Sequence, residues 1–115
     1  MSVPDIPQLK PYELRSEHGV LTITIRKEFD FGSLHQDWAH AILTLHPGPY
    51  KAVRLDLTQV GLVSSTFFAG LMQLHFHYTE RGTPTLTMVQ PDPRVVRNLK
   101  IMRMDNLFTI EPRVE

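Results

Sequence analysis

The chain predicts an α/β fold, one mostly parallel sheet with its helices packed on a single face. Three observations lead there. Segments of period two alternate with segments of helical period in the order β-β-α-β-α-β-α-β. Strands separated by helices need right-handed crossovers, so the strands after the first pair run parallel. Every strand alternates apolar with polar residues, whereas a parallel strand covered on both faces reads as a continuous apolar run. Finally, 115 residues with 42% hydrophobic and 21% charged content suffice for one core and not for two.

Residues 1–11 carry prolines at 4, 7 and 11 and are expected to form an extended arm, leaving residues 12–115 as the single domain. "YELRSEHGVLTITIR" reads as a hairpin turning at Gly19, with Leu21, Ile23 and Ile25 on one side of its second strand. "SLHQDWAHAILTLH" reads as a helix opened by a Ser33–Gln36 capping box, with Leu34, Trp38, Ala41, Ile42 and Leu45 on its buried face. "KAVRLDLTQV" is a strand with Val53, Leu55 and Leu57 facing inward. A helix follows over about residues 66–81, with Phe67, Leu71, Leu74 and Tyr78 on one stripe, Gly82 as its terminator and Pro84 beyond. "TPTLTMVQ" is a strand. "DPRVVRNLKIMR" is a helix capped by Asp92 with Pro93 at its first position and Val95, Leu99 and Met102 buried. "NLFTIEP" closes the sheet. The uncovered face should carry Thr22, Thr24, Arg26, Arg54, Asp56 and Thr87.

Composition removes several function classes. A formal net charge of zero does not mark a nucleic-acid or anionic-membrane surface. The strip Arg94, Arg97, Lys100 and Arg103 reads as a solvated helix face. The absence of cysteine removes disulfides, thiol catalysis and thiolate metal sites. No long apolar run occurs and residues 1–11 lack a basic region followed by an apolar one, so neither a membrane span nor a secretory leader is expected, which fits a cytoplasmic location. His75 and His77 lie about 200° apart on their helix, and His35 and His40 are also poorly aligned for one metal ion. No phosphate loop, G-x-S-x-G elbow or histidine placed beside a serine argues for an enzyme, and no pattern calls for a cofactor.

In open α/β sheets, sites gather beyond the carboxyl ends of the strands. Three loops lie there, at residues 27–32, 61–65 and 90–92, and they carry Glu28, Asp30, Ser64, Ser65, Thr66 and Asp92. A serine where a strand hands over to a helix is, by local chemistry, a cap worth about 1 kcal/mol. The cap is the reading that local chemistry favours, although a phosphate at this position would be tolerated by the free amides of the first turn.

Three segments resemble the STAS domain, the family of bacterial anti-sigma factor antagonists, over about residues 12–110. "KEFDFGSL" is similar to the family's G-E-L-D segment, with Glu28, Phe29 and Asp30 on E-L-D. "LDLTQVGLVSSTFFAG" is similar to its strand followed by D-S-S-G, with Ser64 on the aspartate, Ser65 on the phosphoacceptor serine, Thr66 on the second serine and Phe67 on the glycine. "MDNLFTI" is similar to the closing G-L-F-x-I, with Asn106 for the glycine.

The resemblance implies a STAS-like two-layer fold and a switch protein. It would bind an anti-sigma factor that is also a serine kinase and would be released by phosphorylation at Ser65, or less favourably at Ser64 or Thr66. It further implies a partner surface of Glu28, Asp30, Ser64, Ser65, Thr66 and Phe67, and is compatible with a homodimer. Relatives also serve as constitutive scaffolds in stress-signalling assemblies or attached to transporters. Ser64 and Phe67, which replace the family's aspartate and glycine, leave that second reading open.

Overall fold

The computed structural model describes residues 12–26, 37–61, 63 and 65–113. The expected arm, the Ser33–Gln36 capping box and Leu34 therefore lie outside the described residues. The elements are β1 (Tyr12–Glu17), β2 (Val20–Ile25), α1 (Trp38–Leu45), β3 (Ala52–Asp56), α2 (Ser65–Glu80), β4 (Leu86–Val89), α3 (Pro93–Ile101), a 3₁₀ turn (Asp105–Leu107) and β5 (Phe108–Glu111). Their order matches the expectation.

The strands lie side by side in sequence order, β1-β2-β3-β4-β5. β1 and β2 are antiparallel and the other three pairings are parallel. The hairpin turns through His18 and Gly19, both at positive φ, as a two-residue turn that follows the twist of its strands requires. Each later crossover moves one strand in the same direction. With a constant right hand, all three helices must then fall on one face.

Burial agrees. Leu21, Ile23, Ile25, Val53, Leu55, Leu57, Leu86, Met88 and Phe108 of the sheet form one core cluster with side chains from all three helices. Residues 22, 24, 26, 54, 56 and 87 of the opposite face are half-exposed, as alternation predicts. That open face is laced by polar pairs. Arg54 reaches across β4 to Glu111, at 2.6 Å from Oε2, Arg26 pairs with Glu13, and the hydroxyls of Thr85 and Thr109 meet at 3.0 Å. Such exposed pairs each add at most about 1 kcal/mol.

The helix ends show which local signals hold. Gly82, at φ +101°, closes α2 in a Schellman motif, with the Thr83 amide on the Tyr78 carbonyl and the Gly82 amide on the Thr79 carbonyl. The end of α3 repeats the motif around Arg103 at φ +58°, with the Met104 amide on the Leu99 carbonyl. That stop corrects one expectation. Val95 and Leu99 are buried, but Met102 lies past the last helical residue and is 42% exposed. On α1 the buried stripe is Trp38, Ala39 and Ile42 with Leu43 packed beside it. Leu45, in the last helical position, is 60% exposed and Ala41 only half-buried, because the helix is rolled toward Ala39. The expected stripe of α2 is buried at every position.

α1 and α2 meet at an unusually close contact. An added Cβ at Gly70 would lie 2.2 Å from Cε2 and Nε1 of Trp38. The indole lies against that bare backbone, stacks on Phe67 (5.8 Å between centroids, planes 7° apart), and donates from Nε1 to the Thr66 carbonyl at 3.2 Å. At the far end of α2 the Tyr78 hydroxyl donates to the His46 carbonyl at 2.8 Å.

α3 begins as expected. Pro93 occupies the first turn, and the Asp92 carboxylate accepts from the Arg94 amide at 2.8 Å and from its guanidinium at 3.0 Å. The bonds from the Arg94 side chain and then its amide, with the charges of Arg94 and Arg113 adding, lower the Asp92 carboxyl from 3.8 to about 2.

Two outcomes follow from these contacts. Gly70→Ala gains about 1 kcal/mol of helix propensity but must displace the indole, an overpacking cost of about 1–3 kcal/mol together with a weakened hydrogen bond. Urea denaturation should therefore show a net loss of about 1–3 kcal/mol; a gain would mean that the contact is loose. Asp92→Ala should cost about 1 kcal/mol at neutral pH. Because the folded-state pKa is depressed, Asp92 contributes its full stabilisation above the unfolded value of about 4. The wild-type advantage should fade as pH drops from about 4 toward 2, and an advantage independent of pH would contradict the assignment.

Candidate functional site

The site is built where β3 hands over to α2. Leu57 extends the strand, its amide bonded to the Val89 carbonyl at 3.0 Å and its side chain buried. The chain then turns. The Val60 amide donates to the Leu57 carbonyl at 3.1 Å, and the Asp56 carboxylate accepts from the Thr58 amide (3.1 Å) and hydroxyl (2.7 Å). Asp56 is thus engaged in a local turn. Buried Val60 pins the loop to the core.

α2 starts at Ser65, which is exposed. Thr66 is half-buried and its carbonyl is held by Trp38. The first turn of α2 carries no acidic side chain, so no carboxylate there offsets the positive end of the helix dipole. Ser64, Glu28 and Asp30, all expected at this edge, lie outside the described residues. Asp92 is committed to capping α3 and to its ion pair with Arg94. Phe67 does not belong to a docking surface: it is 1% exposed and stacked under Trp38, because an aromatic ring one turn from Gly70 fills the space that Trp38 opens. Phe68 is also buried, edge-on to Phe67.

Beside Ser65 runs a shallow groove of about 520 Å³ between α2 and the end of α3. Val63, Phe68, Ala69 and Met72 form one wall, and Ile101, Met102 and Met104 the other, with Asn98 and Ser65 as its polar groups. Ile101 is 72% and Met102 42% exposed, and both line the groove, so the exposed apolar side chains here adjoin one another. Among the described residues that line this groove, Ser65 and Asn98 are the polar groups, and none is a histidine or a carboxylate. The groove was not anticipated. Its signal was "KIMRM", where Ile101 falls off the Val95–Leu99 stripe at the point where the helix stops.

Of the helix histidines, His77 Nε2 lies 2.8 Å from the Pro47 carbonyl, and His75 packs against the rings of Phe76 and Phe108 with its buried Nδ1 lacking a hydrogen-bond partner among the described residues. Among the described residues no helix is long and apolar enough to cross a membrane.

The fold is shared with solved structures. An anti-sigma-factor antagonist (STAS) domain protein from Planctomyces limnophilus superposes with a TM-score of 0.75 at 18% identity, over 90% of this chain and 91% of that one. A candidate anti-sigma factor antagonist from Thermotoga maritima superposes with a TM-score of 0.71 at 17% identity, over 90% of this chain and 87% of that one. At such identities the likeness is one of fold. Comparison with curated proteins returns no match. The family model of the STAS domain matches residues 12–115, nearly all of the sequence, and the chain belongs to the STAS domain family.

Proposed function

We propose that the chain is an anti-sigma factor antagonist, a cytoplasmic regulatory protein that binds an anti-sigma factor with serine kinase activity and is released when that kinase phosphorylates Ser65. The observation that carries this reading is the position of Ser65. It is an exposed hydroxyl at the first residue of α2, on the rim of an apolar groove, and the sequence resemblance puts it on the family's phosphoacceptor serine. Thr66 is a poorer acceptor because it is half-buried where Ser65 is exposed. The two solved neighbours, an anti-sigma-factor antagonist (STAS) domain protein and a candidate anti-sigma factor antagonist, support the same class of regulatory partner.

The physics of such a switch is local. A phosphate brings about −1.5 to −2 charges at neutral pH. The amides and dipole at the start of α2 tolerate that charge, so the domain stays folded. A partner seated in the groove would have to strip water from the dianion without supplying a counter-charge, a cost of several kcal/mol. Binding would therefore be lost while the fold is kept, with no turnover by the antagonist itself.

A second reading, a constitutive STAS scaffold, draws on the neutral Ser64 at the family's aspartate position and on the exposed Ile101 and Met102, which offer apolar contact whatever the state of Ser65. Phe67 lends it nothing, since it is in the core, and Phe68, 8% exposed, adds only to the lining of the groove.

One experiment separates the two. The protein is incubated with ATP and the candidate kinase from the same genome, and the 59–81 region is read by mass spectrometry. The switch predicts phosphate on Ser65, none on Ser65→Ala, and an affinity for the partner about 100-fold weaker for Ser65→Asp, roughly 2.7 kcal/mol. Absence of phosphate from residues 64–66, with unchanged affinity of Ser65→Asp, would leave the scaffold.

A further inference from the structure

Arg113 lies two residues past the end of β5 and turns its guanidinium back across the carboxyl ends of β4 and β3. Nε donates to the Gln90 carbonyl at 2.7 Å. Nη2 lies 3.1 Å from the Val60 carbonyl, 3.2 Å from that of Leu57 and 3.3 Å from that of Thr58. Three of these four acceptors belong to the turn that delivers the chain to α2, and the last of them, Val60, is five residues before Ser65. The two protons of Nη2 are shared by three carbonyls, so the oxygen ends of several backbone dipoles converge on a permanent cation. Charge-assisted bonds of this kind are stronger than neutral ones. The guanidinium's divergent N–H groups let one side chain hold both loops at once, which a single ammonium cannot reproduce.

We propose that Arg113 is the positioning residue of the β3–α2 turn. The segment after β5 thereby sets the geometry in which Ser65 is presented. The turn's own bonds, Val60 on Leu57 and Thr58 on Asp56, close it upon itself, and at its first residue the Leu57 amide bonds the Val89 carbonyl at the end of β4. Arg113 adds a side-chain tie beyond that point, joining the Gln90 carbonyl to the carbonyls of Leu57, Thr58 and Val60. Loss of the guanidinium would let residues 58–60 open more readily while Leu57 and the strands stay in place. The consequence for phosphorylation rests on the reading of Ser65 given above; the ordering of the turn does not.

The test uses the full chain, free of any partner. Amide exchange is followed by NMR in the wild type, Arg113→Lys and Arg113→Gln. The amides of Thr58 and Val60 report the turn, and those of Ile23 and Leu55 report the sheet. Positioning predicts that turn amides exchange about tenfold faster in Arg113→Gln, that Arg113→Lys recovers only part of the protection, and that the sheet amides are unmoved, as for a local opening. Uniform acceleration of turn and sheet would show a general stabilising role and overturn the proposal, as would unchanged exchange at Thr58 and Val60. This readout involves neither kinase nor partner, so it can fail while the switch stands, or hold if Ser65 proves not to be modified.

Discussion

The indole of Trp38 lying against the bare backbone of Gly70 is the contact on which the presentation of Ser65 depends. It brings α1 and α2 closer than any side chain at residue 70 would allow. The same ring covers Phe67 and bonds the Thr66 carbonyl, so one side chain of α1 holds the start of α2 through three contacts. A helix start usually frays because its groups lack partners. Here the side facing the core is fixed by packing, and Ser65, on the other side, is left in water. A rigid base with an exposed hydroxyl is what a surface read by another protein requires.

The layer arrangement explains why the site lies where it does. Strands in sequence order with crossovers of one hand place every helix on one face. The carboxyl ends of β2, β3, β4 and β5 then share one edge, where the turn before α2, the cap of α3 and the chain after β5 come together. Arg113 links the first and last of these through backbone carbonyls, and the apolar groove opens between α2 and the end of α3. Charge added at Ser65 would meet a tolerant helix end beneath it and an apolar surface beside it. The difference between those two environments is the physical content of the proposed switch.

Much of this was legible in the sequence. The period of each strand gave both its existence and its buried face, because Leu21, Ile23 and Ile25 alternate strictly with Val20, Thr22 and Thr24. Asp92–Pro93 and Gly82 marked helix ends through chemistry that acts within a few residues. Met102 and Leu45 were misplaced because counting a stripe assumes that the helix continues and keeps its roll, and tertiary packing decides both. The family position of Phe67 suggested contact, yet its burial follows from Gly70 and Trp38. Gly70, Ile101 and Arg113 were missed for one reason. Their roles depend on residues distant in sequence, and no local pattern reports a ring settling on a glycine or a guanidinium reaching another loop.

Trp38 is the protein's one tryptophan and sits under the start of α2, so its emission tests the central claim most directly: that charge at Ser65 acts on the partner surface and leaves the fold intact. Fluorescence of the Ser65-phosphorylated protein should keep the emission maximum of the unmodified protein, with partner binding lost in the same sample. A red shift, showing the indole released to water as the first turn of α2 opens, would contradict the account.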